Sequence, residues 1–227
     1  MICFTGDRGK DARYCSAILF DFDGTLATLN VDFGSMRAGL LSRIQSYGLD
    51  VDRFKDLYAL EMIDRATEEL EPVRPDAVPV LKEECLSLIR DVEMEGARRG
   101  MLFDGIRDMF RILRQKNIKT AVVTRNCFDA VSCIYQGIEV ECDAVVSREF
   151  TQRVKPHPQH LITALALLGV EASQAVMAGD HPMDISAGKA VGAYTIGVLS
   201  GYSGTEPLRE AQADLILDHI TDLLTAL

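Results

Sequence analysis

The sequence predicts an α/β protein built on a doubly wound parallel sheet, with an all-helical domain inserted after the first strand of that sheet. Short apolar runs, typical of buried strands, alternate with helical periodicity through the second half of the chain. Polar and acidic residues follow several of these runs, at the strand ends where such sheets bind ligands. Residues 27–99 show helical periodicity without a strand pattern.

The composition is that of an acidic globular protein with one or two domains. The chain has 227 residues, 48% of them hydrophobic, and a net charge of −10 at pH 7. This charge disfavours a nucleic acid partner, because a phosphate backbone is bound by positive surfaces. No apolar run is long enough to cross a bilayer, and no export segment is evident. We expect a cytoplasmic protein with no nucleic acid or membrane partner, as a monomer or homodimer.

The six cysteines show no Cys-x-x-Cys pair or zinc spacing, so reduced and mostly buried thiols are predicted. The α/β core is predicted from residues 1–26 and 100–227. Its expected strands are Ala17–Phe20, Ile118–Val123, Asp143–Val146, Ala175–Ala178, Tyr194–Val198 and Asp214–Leu217. Its expected helices are 105–116, 128–135, 158–168, 184–191 and a closing helix, 219–227. Residues 1–16 fit either an extra edge strand or a loose leader.

Residues 27–99 are predicted to form a helical cap domain. A first helix runs from residue 31 and ends at Gly48, and a second covers about residues 52–70. A third follows Pro79 and ends near Gly96. The alternative is that these helices simply cover the sheet. As a cap, the domain is expected to move about hinges at residues 27–30 and 96–100.

The segment Asp21-Phe22-Asp23-Gly24-Thr25-Leu26 directly follows the first predicted core strand. Two carboxylates two residues apart project to the same side of an extended chain. Paired acids at the end of a buried strand are costly unless a cation lies between them. The pattern therefore indicates a divalent metal and an anionic substrate. For this motif alone, an Asp-Gly hairpin turn stays open as the alternative.

Two residues after later strands suit phosphate binding. Thr124 closes an apolar strand, so its hydroxyl and the amides of the following Arg125 and Asn126 could donate to phosphate oxygens at a helix N-terminus. Lys155 precedes Pro156 and could neutralise a carboxylate and a phosphoryl group together. Taken singly, Thr124 also fits an ordinary helix cap, and Lys155 an exposed surface lysine.

A second acidic pair lies in Gly179-Asp180-His181-Pro182-Met183-Asp184, after another short apolar strand. An Asp at a helix N-terminus is favourable by itself through capping and the helix dipole. Together with Asp21 and Asp23, however, Asp180 and Asp184 complete an all-oxygen site of the kind that Mg²⁺ requires.

The order of these motifs resembles the haloacid dehalogenase superfamily of phosphotransferases, and within it the phosphoglycolate phosphatase-type branch. The resemblance implies a Rossmann-like core, a helical cap, Mg²⁺ as cofactor and hydrolysis of a small phosphorylated metabolite. Relatives that dehalogenate lack the second acid and Mg²⁺, so Asp23 and Asp180 favour phosphate chemistry. The matching residues are Asp21, Asp23, Gly24, Thr25, Thr124, Lys155, Asp180 and Asp184.

The resemblance also implies a role for each site residue. Asp21 would be the nucleophile, and Asp23 the general acid and base. Mg²⁺ would be bound by Asp21, the backbone carbonyl of Asp23, and Asp180, with Asp184 as a more distant or water-mediated partner. Thr124 and Lys155 would hold the phosphoryl oxygens, with Lys155 also orienting Asp21. These roles suit a reaction that is catalysed mainly by positioning and charge neutralisation. Arg125 and Asn126 are predicted to contact the substrate.

Three alternatives stay open beside a phosphatase. A sugar phosphomutase would use the same acids but exclude water, and a receiver-like signalling domain would keep a long-lived phospho-aspartate. A catalytically idle binding subunit on the same scaffold is the third. Substrate selectivity is not assigned by the sequence; the polar candidates for it are Asn30, Arg37, Arg74, Arg125 and His181.

Overall fold

The computed structural model of the chain describes residues 2–4 and 13–226. Its strands, in chain order, are β1 (Ile2–Phe4), β2 (Arg13–Cys15), β3 (Ala17–Phe20), β4 (Ala27–Thr28), β5 (Met101–Leu102), β6 (Lys119–Val123), β7 (Ala144–Val146), β8 (Ala175–Gly179), β9 (Tyr194–Val198) and β10 (Leu215–Leu217). Its α-helices are α1 (Phe33–Ser46), α2 (Ala59–Leu70), α3 (Val78–Ala97), α4 (Ile106–Gln115), α5 (Phe128–Ile134), α6 (Ile138–Glu141), α7 (Gln159–Leu168), α8 (Pro182–Val191) and α9 (Thr205–Glu210).

The core of the fold is a parallel six-stranded sheet in the order β10-β9-β8-β3-β6-β7. Within this sheet, the chain first forms the central strand β3 and then adds β6 and β7 on one side of it. It then returns to the other side of β3 and adds β8, β9 and β10. The strand order therefore reverses beside β3, and a crevice opens at the carboxyl ends of strands at such a switch point. The predicted doubly wound α/β fold is confirmed.

The register of the sheet aligns the ends of its three central strands. Phe20, the last residue of β3, is paired with Val122 of β6 on one side and with Ala178 of β8 on the other. The residues that follow these strands consequently emerge at one edge of the sheet. These segments contain the acidic candidates and Thr124, whereas Lys155 lies in the connection between β7 and α7.

Apolar side chains cover both faces of this sheet. On one face, helices α7 and α8 bury a cluster that includes Leu19, Val123, Leu161 and Met177. A chain of aromatic contacts lies elsewhere in the core, where the Phe110 ring of α4 is 5.4 Å from Phe20 and 5.9 Å from Tyr135. The four residues of β3 are completely buried, which explains its unbroken apolar sequence.

The chain divides into two compact units, residues 1–29 with 100–227, and residues 30–99. The second unit has a core of its own between its three helices, built from residues such as Leu40, Phe54 and Ile89. It begins three residues later than the predicted boundary, because Ala27 and Thr28 pair antiparallel with Leu102 and Met101. The prediction that residues 27–99 contain no strand is therefore wrong for Ala27 and Thr28.

Other elements also differ from the sequence prediction. The single helix predicted for residues 52–70 is instead a 3-10 turn, Val51–Phe54, followed by α2. The third helix starts at Val78, because Pro79 occupies its first turn, where proline needs no donor. The closing helix is a 3-10 helix, Ile220–Ala226. The short helices α6 and α9 were not predicted.

At the N-terminus, β1 and β2 pair antiparallel as a separate two-stranded sheet. The described part of residues 1–16 therefore does not add an edge strand to the six-stranded sheet. Residues 1 and 5–12, on which the choice between an edge strand and a loose leader also falls, lie outside the described residues. Among the described residues, Cys15, Cys85, Cys127 and Cys142 are buried and Cys133 is exposed, and none of these five forms a disulfide bond. None of the helices in the described residues combines the length and the apolar character needed to span a membrane.

Candidate active site

Asp21 and Asp23 lie on the loop that follows β3. The Asp21 backbone N–H donates to the Ala178 carbonyl of β8 at 2.8 Å, so the first residue of the loop is still fixed to the sheet. Its carboxylate faces Lys155, as described below. The Asp23 carboxylate instead accepts a hydrogen bond from the Leu29 backbone N–H at 2.8 Å. The two acids are therefore held by different partners, which suits two different chemical roles.

Gly24 closes this turn against the second acidic pair. Its φ is +80°, a conformation that side chains rarely adopt. A Cβ at this position would lie 2.5 Å from Asp180 Oδ2 and 2.9 Å from the Cα of Gly201. The Gly24 carbonyl also accepts a hydrogen bond from the Ser200 hydroxyl at 2.8 Å. Glycine is thus required both by the backbone angle and by the close approach of the Asp180 carboxylate.

Thr124 follows β6 and is completely buried. Its backbone N–H donates to the Val146 carbonyl at 3.0 Å. Its hydroxyl oxygen accepts from the backbone N–H and from the side-chain amide of Asn126, both at 3.2 Å. A hydroxyl has two acceptor positions and one proton, so with both acceptor positions used its remaining capacity is to donate. This suits a phosphoryl oxygen, and it gives Asn126 a supporting role beside Thr124.

Lys155 is the cation of the site. Its side chain is only 1% exposed, and its Nζ lies 2.7 Å from Asp21 Oδ1 and 2.7 Å from Asp184 Oδ1. Burial alone would lower the pKa of Lys155, but the carboxylates of Asp184 and Asp21 outweigh that effect and raise it. Lys155 therefore stays charged and is not the exposed surface lysine of the simpler interpretation.

The second acidic pair is buried and held by backbone donors. Asp180 Oδ2 accepts from the Tyr202 backbone N–H at 2.6 Å. Asp184 Oδ2 accepts from the His181 backbone N–H at 3.1 Å, as part of the cap of α8. The capping function that the sequence offered as the simpler explanation of Asp184 is therefore real. Its other oxygen nevertheless points to Lys155, so the same residue also belongs to the charged cluster.

The electrostatics of this cluster show an excess of negative charge. Burial, reinforced by the nearby Asp21 and Asp184 carboxylates, raises the pKa of Asp180 to about 8. Burial also raises the pKa of Asp184, to about 6; Lys155 opposes this shift and Asp21 adds to it. The cluster thus contains three carboxyl groups, of which Asp21 and Asp184 contact the one ammonium, and a further cation would relieve the repulsion that remains.

Three of the four predicted metal ligands come together. One carboxylate oxygen each from Asp21, Asp180 and Asp184 lie within 4.8 Å of one another. An all-oxygen, strongly anionic set of this kind fits a hard cation such as Mg²⁺. The Asp23 carboxylate is not in this set, and a ligand role for its backbone carbonyl stays a prediction. Asp184 is closer to the cluster than a purely water-mediated partner needs to be.

Arg125 contacts the backbone of the segment that carries Lys155. Its guanidinium donates to the backbone carbonyl of Lys155. Arg148 in turn donates to the Arg125 carbonyl at 3.2 Å. These contacts brace the loop that carries Lys155. A direct contact between Arg125 and a substrate stays a prediction.

Two supporting features were missed in the sequence. His160 lies on the buried side of α7, and its ring accepts a hydrogen bond from the Lys155 backbone N–H. The only sign of this contact in the sequence is a histidine within the apolar face of a predicted helix. The loop after β9 was also missed, although it follows a core strand as the other motifs do. Its Ser200 and Tyr202 bind Gly24 and Asp180 respectively.

The selectivity candidates are partly engaged elsewhere. The His181 ring accepts a hydrogen bond from the Met183 backbone N–H at 3.1 Å, and burial lowers its pKa. In the helical unit, Arg37 donates to the carbonyls of Leu57 and Phe54. Arg74 lies over the Tyr47 ring, and Asn30 donates to the Arg99 carbonyl. These contacts give Arg37 and Arg74 structural roles within their own unit.

Curated relatives of the chain include phosphatases with different named substrates. It is 32% identical to pyrophosphatase PpaX of Bacillus pumilus over 124 residues, which are 54% of this chain and 57% of that protein. It is 28% identical to N-acetylmuramic acid 6-phosphate phosphatase of Pseudomonas aeruginosa, covering 93% of this chain and 94% of that one. It is 24% identical to phosphoglycolate phosphatase of Pseudomonas putida, covering 91% and 78%.

Among solved structures, the fold is similar to that of a hydrolase from Pseudomonas syringae. The TM-score is 0.66 at 19% identity, and the match covers 92% of this chain and 96% of that one. This likeness extends through both units and supports the predicted fold.

The family itself is identified by a family model. The model described as haloacid dehalogenase-like hydrolase matches residues 15–192, a range that contains every predicted site residue. This match and the names of the relatives confirm two predictions, the resemblance and the enzyme class, a phosphatase. The chain belongs to the haloacid dehalogenase-like hydrolase family.

Proposed function

We propose that the protein is a Mg²⁺-dependent phosphatase that hydrolyses a small phosphorylated metabolite through an aspartyl-phosphate at Asp21. The observation that carries this proposal is the placement of Lys155 Nζ, 2.7 Å from both Asp21 and Asp184. With Asp180 beside them, these groups provide a fixed nucleophile next to a charge-neutralising centre. Phosphoryl transfer needs mainly such positioning and electrostatic stabilisation.

In the first step, an Asp21 carboxylate oxygen attacks phosphorus while the bond from phosphorus to the ester oxygen breaks. The carboxyl group of Asp23 gives its proton to the departing alkoxide, which leaves as the alcohol. Lys155 keeps Asp21 oriented through Oδ1. The buried Thr124 hydroxyl donates to one phosphoryl oxygen, and the ammonium of Lys155 faces the charge on the others.

In the second step, the Asp23 carboxylate takes a proton from a water molecule whose oxygen attacks phosphorus. The bond from phosphorus to Asp21 breaks, inorganic phosphate leaves, and both aspartates return to their starting states. The hydrogen bond from Leu29 to Asp23 Oδ1 holds this carboxyl group in one orientation for both proton transfers. Asp23 therefore serves as the acid first and as the base second.

Mg²⁺ would be held by the carboxylates of Asp21 and Asp180 and the backbone carbonyl of Asp23, with Asp184 in the same cluster. When bound, Mg²⁺ supplies positive charge that neutralises the phosphoryl oxygens. The raised pKa of Asp180 supports this assignment, because burial and the nearby Asp21 and Asp184 carboxylates disfavour the charged form of Asp180, which a bound cation would favour.

The test is phosphate release from a panel of compounds, with Mg²⁺ and then with EDTA. The panel contains phosphoglycolate, N-acetylmuramic acid 6-phosphate, sugar phosphates and pyrophosphate, since the named relatives differ in substrate. We expect Mg²⁺-dependent release that favours one compound. Asp21→Asn should lower kcat on the order of 10⁴-fold or more, because it removes the nucleophile. Retained turnover in this variant would disprove the covalent mechanism.

A sugar phosphomutase is the main alternative, because it would use Asp21 and Asp23 in the same way. It would return the phosphoryl group to a sugar instead of passing it to water. Isomerised sugar phosphate without release of inorganic phosphate would favour the mutase. Family membership sets aside the receiver-like domain.

A further inference from the structure

The backbone of Lys155 is held by side chains on both of its polar groups. Its N–H donates to Nδ1 of His160 at 3.2 Å, and its carbonyl accepts from the guanidinium of Arg125. Lys155 lies in the connection between β7 and α7, beyond the ladder of the sheet. The position of its ammonium therefore depends on these side-chain contacts.

His160 is completely buried and uses both nitrogens of its ring. Nδ1 accepts from Lys155, so the ring proton is assigned to Nε2, which lies 3.0 Å from the Val146 carbonyl. Burial lowers the pKa of His160 to about 3, and the charges of Lys155 and Arg125 act in the same direction. The ring is therefore neutral, with one acceptor and one donor that each have a partner.

The Val146 carbonyl connects this histidine to a second site residue. Besides the His160 ring, it accepts the backbone N–H of Thr124 at 3.0 Å. A continuous path thus runs from the Thr124 amide through Val146 and the His160 ring to the Lys155 amide. It joins the ends of β6 and β7 to the loop before α7, so two of the proposed phosphoryl-binding residues share one buried connection.

We propose that His160 is a positioning residue, which fixes Lys155 relative to Asp21 and Thr124. This inference rests on the proposed function. A histidine that only filled space could be replaced by an apolar side chain, whereas here the ring supplies an acceptor to the Lys155 amide and a donor to Val146. A polar group in such a buried place is costly unless both partners are present.

The kinetic test compares two substitutions at this position. His160→Asn keeps an acceptor near the place of Nδ1, and His160→Phe removes both polar atoms while filling the volume. We expect kcat to fall about 10- to 100-fold in His160→Phe, the scale of a small misplacement of a reacting group. We expect His160→Asn to recover most of that loss. The exposed His219 provides matched controls, His219→Asn and His219→Phe, with unchanged kcat.

Folding and activity are separated by measurements on the same variants. Urea unfolding shows whether each variant is folded under assay conditions. Equal kcat losses in folded His160→Asn and His160→Phe would overturn the proposal, because the retained acceptor would then have no effect. So would an unchanged kcat in His160→Phe.

A measurement on the substrate-free protein tests the positioning role of His160 independently of the proposed phosphatase activity. In nitrogen-detected NMR of the wild-type protein, we expect the His160 proton on Nε2, with no titration between pH 5 and 8. We also expect the Lys155 amide shift to move more in His160→Phe than in His160→Asn. A proton on Nδ1, or titration in that range, would overturn the positioning role. Failure of the wild type to release phosphate from any compound of the panel would instead refute the proposed function alone.

Discussion

At the scale of single residues, the site depends on a buried lysine between carboxylates. Removing one partner of a buried ion pair leaves the other charges without compensation, and this is costlier than losing an exposed pair. Lys155 is 1% exposed and contacts Asp21 and Asp184, whereas Lys189 contacts Asp214 with both side chains about one-third exposed. The chain thus contains one buried ion pair cluster and one partly exposed ion pair that can be compared directly.

Lys155→Met is expected to reduce the free energy of unfolding by about 3–5 kcal/mol, because Asp21 and the buried Asp184 would lose the ammonium that compensates their charge. Lys189→Met should cost about 1 kcal/mol or less. Urea unfolding at pH 7 in EDTA measures both, without a contribution from bound metal. A smaller loss in Lys155→Met than in Lys189→Met would contradict the importance of the buried pairing.

His160 predicts a pH dependence of stability. The folded-state pKa is lowered from 6.5 to about 3, so between these values the unfolded chain binds more protons than the folded one. Stability from this residue is therefore present above pH 6.5 and is lost as the pH falls toward 3, by at most about 1.4 kcal/mol per pH unit. We expect urea unfolding from pH 7 to pH 4 to show a shallower decline in His160→Phe. An identical decline would indicate that His160 is protonated in the folded protein.

At the scale of structural elements, short turns at the ends of strands bring the acids together. The turn after β3 is fixed by backbone bonds, since the Phe22 carbonyl accepts from the amides of Leu26 at 2.9 Å and Ala27 at 3.1 Å. It then brings Gly24 against Asp180. Part of this was predictable, because apolar runs locate strand ends. The close approach of the turn at Gly24 to the turn at Asp180 was not predictable, because these turns are more than 150 residues apart and hydrophobic periodicity carries no information about such contacts.

Gly24→Ala tests the close approach separately from backbone strain. Gly137 has a similar φ, +85° against +80°, but a Cβ there would meet nothing within 4 Å. Gly137→Ala should thus cost only the left-handed backbone strain, about 1–2 kcal/mol. Gly24→Ala adds a clash with Asp180, so we expect a loss larger by about 1–3 kcal/mol and a lower kcat. Equal unfolding free energies for the two variants would show that the turn gives way without displacing Asp180.

At the scale of the whole molecule, the sequence predicted the main strands of the sheet better than it predicted the short strand pair and the side-chain contacts that hold the site in place. Strands such as β3 and β9 were predicted at their observed bounds, because four or five consecutive buried residues leave a clear apolar run. The pairing of β4 with β5 was missed, since two residues are too few to form a pattern. The contacts of Arg125 and His160 with Lys155 were also missed. Both side chains bind the backbone of Lys155, which leaves no pattern in the sequence, and Arg125 is in addition far from Lys155 along the chain.

The two compact units have separate hydrophobic cores. The cluster around Phe54 draws its residues from 30–99, and the cluster around Met177 draws its residues from the rest of the chain. Because neither cluster shares a residue with the other, truncating one core should loosen mainly the helices or strands that surround it.

Phe54→Ala is expected to destabilise the helical unit by about 3–5 kcal/mol, since Phe54 is completely buried. Hydrogen exchange should then become faster in α1, α2 and α3, while the amides of β3 and β8 keep their protection. Met177→Ala is the matched variant in the sheet, for which we expect the reverse pattern. Equal acceleration throughout the chain in both variants would mean that the units unfold as one. Selective acceleration would mean that the helical unit can open locally while the sheet that carries Asp21, Lys155 and Asp180 stays folded.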